Sequence, residues 1–169
     1  VPAGQQDGAS ALALDEAAGK LYVVADTDQI YVIDEPTEQI EKVYNLKGAK
    51  GAISIAYAPE EKLLFVVSQS TDNLQILDAT DGKLKADVKV GAGPLAVVWE
   101  PVRKLAYVAN RGSDSVAVVD VNGNLVANLP GGSYANHVFT DGKGTVWSVN
   151  KARGLNDPQG DHISRYAAK

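Results

Sequence analysis

The sequence predicts an all-β chain of four repeated units, each a four-stranded antiparallel meander. Three observations carry this: an aromatic-led strand recurs four times, a second strand marker keeps step with it, and the residues between them suit hairpin turns. The first marker reads Leu21-Tyr22-Val23-Val24-Ala25, Leu64-Phe65-Val66-Val67-Ser68, Ala106-Tyr107-Val108-Ala109-Asn110 and Val146-Trp147-Ser148-Val149-Asn150. Its aromatics stand 43, 42 and 40 residues apart, and a period of roughly 20–50 residues dictates architecture more strongly than local propensity does. The second marker is a β-branched run ending in aspartate: Tyr31-Val32-Ile33-Asp34, Leu74-Gln75-Ile76-Leu77-Asp78 and Val116-Ala117-Val118-Val119-Asp120.

Each unit opens on a small-and-apolar strand: Ser10 to Leu14, Ala52 to Ala56, Leu95 to Trp99 and Asn136 to Phe139. A turn follows, at Ala17-Ala18-Gly19-Lys20, Pro59-Glu60-Glu61-Lys62, Pro101-Val102-Arg103-Lys104 and Asp141-Gly142-Lys143-Gly144, and leads into the aromatic-led second strand. The third strand is the run ending in aspartate. Asp34-Glu35-Pro36-Thr37, Asp81-Gly82 and Asn122-Gly123 then start turns or tolerate positive φ at little cost. Fourth strands follow at Ile40 to Leu46, Leu84 to Val90 and Leu125 to Leu129. The second strands are apolar on both faces, as expected of a sheet stacked between two neighbours.

A four-stranded meander of about 42 residues has the size of a β-propeller blade. The predicted blades are residues 9–47, 48–91, 92–131 and 132–169. In the last, a long polar loop from Lys151 to Asp161 precedes a third strand near His162 to Tyr166, and no fourth strand follows. The eight residues before Ala9 hold Pro2 and two glycines and are not read as that strand. An open run of four blades exposes an apolar face at each end, unfavourable by roughly 25 cal/mol per Å². Further blades in a longer, seven-bladed chain, a second copy, or a small four-bladed closure would each cover these faces.

Tyr107-Val108-Ala109-Asn110 followed by Val116-Ala117-Val118-Val119-Asp120 resembles the Tyr-Val-Thr-Asn propeller repeat family. The order of segments from Ser10 onward is similar to the C-terminal half of YncE-type bacterial seven-bladed propellers. The first two units depart from the motif, with Ala25-Asp26 and Ser68-Gln69 where Thr-Asn is usual. The resemblance implies a binding or scaffold protein that is exported to the periplasm or secreted. Some relatives are linked to single-stranded DNA, and similar-looking propellers house quinone or haem-type cofactors or act as lactonases.

Composition narrows the classes. The chain is 45% apolar, and no stretch approaches the roughly 20 apolar residues of a spanning helix. A net charge of −5 and a pI near 5.0 disfavour a broad nucleic-acid surface. Without cysteine there is no disulfide, thiolate ligand or cysteine nucleophile.

No residue set declares a chemistry, so the expectation is a non-enzyme with no cofactor. Gly-x-Ser-x-Gly is absent, and neither Gly48-Ala49-Lys50-Gly51 nor Gly142-Lys143-Gly144-Thr145 has phosphate-loop spacing. Asp34, Asp78 and Asp120 hold one repeat position, which turn capping explains. His137 and His162 belong to one blade and are a weak metal pair, with Asp161 as an oxygen ligand. Ligands of propellers bind at loop rims and the central channel. The candidate rim residues are Asn110, Arg111, Tyr134, Asn136, His137, Lys151 and Arg153. A protein, a peptide or a small molecule is the expected partner. Single-stranded DNA is a further alternative, for which Trp147 would have to be available although its position predicts core. A cofactor- or metal-containing enzyme is the rival class.

Overall fold

A computed structural model describes residues 8–167. Its fifteen strands among the described residues are β1 (Ala9–Asp15), β2 (Lys20–Ala25), β3 (Gln29–Asp34), β4 (Gln39–Asn45), β5 (Ala52–Ala58), β6 (Leu63–Ser68), β7 (Asn73–Asp78), β8 (Leu84–Lys89), β9 (Pro94–Glu100), β10 (Leu105–Asn110), β11 (Ser115–Asp120), β12 (Leu125–Pro130), β13 (Ala135–Thr140), β14 (Thr145–Asn150) and β15 (Ile163–Ala167). They form sheets β1–β4, β5–β8, β9–β12 and β13–β15, each antiparallel with neighbours in chain order. No helix occurs among the described residues. The expectation that the segment before Ala9 adds no strand falls, for residues 1–7, outside them.

The sheets are propeller blades stacked face to face. Their first strands are neighbours, β1 against β5, β5 against β9 and β9 against β13. Three apolar clusters fill the seams between successive blades. The middle blades are covered on both sides, and this is why β6 is buried at every residue and reads as a continuous apolar run. β2 has nearly the same sequence pattern but mixes buried and half-buried residues, because among the described residues only one face of its sheet meets a neighbour. The fourth strands β4, β8 and β12 are mostly exposed. In the middle seam Phe65 stacks on Trp99 with ring centroids 5.0 Å apart.

A repeated latch joins each blade to the next. Asp28, Asp72 and Asp114 take left-handed φ of 58°, 52° and 53° in the loops between second and third strands, a conformation Asp accepts more readily than most residues. Each carboxylate reaches the entry of the following blade: Ala52 N–H donates to Asp28 Oδ1 at 3.0 Å, Gly93 N–H to Asp72 Oδ1 at 2.8 Å, and Tyr134 N–H to Asp114 Oδ1 at 2.8 Å. Asp78 and Asp120 cap their own turns, accepting from Thr80 N–H and from Asn122 and Asn124 N–H. Bonds led by that of Thr80 hold the Asp78 carboxyl below its usual range.

Candidate functional site

The latch at the third seam builds a cluster on the rim that carries the long loops. Tyr134 enters β13 with φ 50°, its amide tied to Asp114. This stance brings two guanidinium groups onto its ring: the Cζ atoms of Arg111 and Arg153 each lie 4.8 Å from the ring centroid. Arg111 follows β10, where its amide donates to Gly93 O at 3.0 Å. Arg153 comes from the loop before β15 and pairs with Asp114 Oδ2 at 2.5 Å. The two arginines differ in one respect that matters for binding. Arg153 is neutralised by Asp114, whereas the exposed Arg111 guanidinium has the tyrosine ring and no ion pair or hydrogen bond among the described residues. Stacking on a ring face leaves the in-plane N–H groups of a guanidinium pointing away from the ring.

The loop of residues 151–161 is tied down along its length. Asp157 accepts from Arg153 N–H at 2.9 Å and from Gln159 N–H at 3.0 Å, and these bonds, led by that of Arg153, hold its carboxyl below the usual range. Ser133 N–H donates to Gln159 O at 3.1 Å, and Asn150 Nδ2 also donates to Gln159 O. Gly160 is required by close approach: a Cβ there would stand 2.3 Å from Ala152 Cα. The loop therefore presents Arg153 from a fixed platform.

The other predicted rim residues divide. Lys151 is exposed beside the cluster, its amide donating to Ser133 O at 3.1 Å. Asn136 is half-buried, the extra residue where the β13–β14 register shifts. Asn110 does not reach the surface: it is fully buried, and its amide donates to Ser115 Oγ at 3.2 Å. His137 is exposed on β13, two strands from the exposed His162, and is not part of the cluster. Among the described residues no three His, Cys, Asp or Glu side chains are grouped to hold a metal. Trp147 corrects an expectation: it is half-buried, on the face of the last blade that no described residue covers, and its ring centroid lies 6.2 Å from that of Phe139.

The opposite rim holds two arrangements that no sequence motif marks. Between the first two blades is a cleft of about 400 Å³ lined by Tyr22, Tyr44, Tyr57, Lys20 and Glu41. Three of these side chains are already partnered. Tyr57 OH donates to Asp15 Oδ2 at 2.8 Å, Tyr44 OH to Ala79 O at 3.0 Å, and Lys20 Nζ to Glu41 Oε1 at 2.7 Å. Burial pushes Tyr44 up to about 12, and burial with the Asp15 bond raises Tyr57 further. These phenols are proton donors at neutral pH, and the bond to Glu41 raises Lys20 away from a neutral amine.

Between the third and fourth blades Glu100 is fully buried. Its carboxylate accepts from Val102 N–H at 3.2 Å, Arg103 N–H at 2.8 Å and, across the seam, Gly144 N–H at 3.0 Å. Arg103 spans the same seam, donating to Tyr107 OH at 2.9 Å and to the carbonyls of Gly144 and Tyr166. The only sequence signal was an acidic residue closing an apolar strand.

Comparison with family models and with curated proteins gives no match. Among solved structures the chain is similar to one titled Kuenenia stuttgartiensis Hydrazine Synthase, with a TM-score of 0.84 and 15% identity. The likeness covers 99% of this chain and 49% of that one, so the chain spans about half that protein's length. At this identity the likeness shows the fold alone, an all-β propeller array.

Proposed function

We propose that this chain is a non-catalytic propeller binding module, of the Tyr-Val-Thr-Asn repeat and YncE type, that takes an acidic peptide segment on the rim at Arg111, Tyr134 and Arg153. The supporting observation is Arg111: a guanidinium oriented by a tyrosine ring, with its donors unclaimed. A carboxylate matches that fork with two parallel hydrogen bonds, the geometry for which arginine is suited. Lys151 lends positive charge at the edge, and Asp114 orients both Tyr134 and Arg153. The resemblance to exported propellers extends the proposal to a periplasmic or secreted setting.

A fluorescently labelled Glu/Asp-rich decapeptide, titrated by anisotropy, tests the reading. The wild-type chain binds it in a salt-sensitive way, and Arg111→Ala weakens binding about 10- to 100-fold, the range for hydrogen bonds to a charged group. Tyr134→Ala weakens it as well by releasing Arg111. Absence of binding, or binding unchanged in Arg111→Ala, overturns the proposal. So does salt-sensitive retention of an oligo-dT strand with none of the peptide, which moves the site to the nucleic-acid class.

A further inference from the structure

Each outer blade leaves one face uncovered among the described residues, and the strand registers show what that face is made of. On the first blade two cross-strand rows run Leu12-Val23-Tyr31-Val43 and Leu14-Leu21-Ile33-Ile40. On the last, the rows are His137-Val149-Ile163 and Phe139-Trp147-Arg165. Leu12 is 62% exposed, Phe139 66% and Ile163 72%. Apart from His137 and Arg165 these rows are apolar, the composition of a seam and not of a solvated face.

The internal seams identify the two halves. By register, Leu21 and Val23 hold the positions that Leu64 and Val66 hold in the second blade, where both are 0% exposed in the seam with the first blade. Trp147 holds the position of Tyr22, Phe65 and Tyr107, each buried in the seam with the following blade. Asp161, with φ 54°, repeats the latch position of Asp28, Asp72 and Asp114, yet its carboxylate accepts from Ala152 N–H in its own loop. The first face is thus the receiving half of a seam and the last face the contributing half, on one chain.

Charge supports the match. Arg165 stands where the first blade has Val32, since each pairs with the aromatic of its blade. Val32 and Ala79 line one cleft across the first seam. Glu35 stands in the first blade where Ala79 stands in the second, and both amides make the same bond, to Gly19 O and Lys62 O. Stacking the last face on a first face in the internal geometry therefore sets Arg165 against Glu35.

We infer that a second copy of this chain covers both faces. The last blade of each copy stacks on the first blade of the other, and an Arg165–Glu35 pair forms in each of two equivalent seams. Head-to-tail contacts of this kind close into a ring when the rotation permits, and eight blades lie within the propeller range of about 4–8.

Light scattering after size exclusion tests this on the 17.8 kDa chain. The expected mass is twice that. Arg165→Glu places two acids together in the seam and raises the dimer dissociation constant at least about tenfold. The pair Glu35→Arg with Arg165→Glu restores the dimer, a result that loss of folding in the single variant would not produce. A monomeric mass at every loading concentration overturns the inference, as does a dimer indifferent to Arg165→Glu.

Discussion

Glu100→Ala lowers the unfolding free energy by about 3–5 kcal/mol, the range for removing one partner of a buried charge pair. The substitution takes the buried carboxylate away from three backbone N–H donors, those of Val102, Arg103 and Gly144. It also removes the acid that faces Arg103, whose Nε lies 3.9 Å from Glu100 Oε2. Since the Gly144 bond crosses the seam, the loss falls on the docking of the last two blades and not on one hairpin. Urea denaturation followed by circular dichroism measures it. A cycle with Arg103→Ala gives a double variant that loses less than the sum of the singles, by about 0.5–3 kcal/mol, because the two residues act in one network. Additive losses would show that each side chain serves only its own strand.

Phe65→Ala costs about 3–5 kcal/mol, the usual range for truncating a buried ring. Phe65 is fully buried and stacked on Trp99, at the centre of the cluster that joins the second and third blades. The site has little room to collapse, because Leu74, Ile76, Val97 and Val108 are buried around it on rigid strands. Leu125→Ala on the exposed β12 is the matched control and shifts stability by less than about 0.5 kcal/mol. A small loss at Phe65, comparable to that control, would mean that the middle seam does not hold the array together.

The repeat made the blades legible because a strand buried on both faces has to read as a continuous apolar run, and turns have to carry the residues that turn. Arg111, Tyr134 and Arg153 were legible as a set for a related reason: their phase in the repeat puts all three on the same rim. What the phase could not show was orientation. Asn110 reads as a loop-edge polar residue, yet it closes β10 facing Ser115, and its side chain is sealed beneath the rim. Trp147 reads as core because its counterparts Tyr22, Phe65 and Tyr107 are core, but burial there is conferred by the following blade. Glu100 carries no legible signal because the partner that ties it across the seam, Gly144, lies more than 40 residues away, and no local pattern marks a carboxylate that will be buried by another blade. The Asp28, Asp72 and Asp114 latches were periodic and therefore findable. Their signal was hidden by the many other aspartates in turns.

Blades that bury their faces against one another hold this fold together, and native-state amide hydrogen exchange reads that burial most directly. Strands enclosed between two blades exchange only on global opening, whereas outer strands open locally. Slowest exchange is expected at β6, β7, β10 and β11, and fast exchange at β4, β8 and β12. Protection as high on the outer strands as on those inner ones would contradict the stacked array, and with it the placement of the rim.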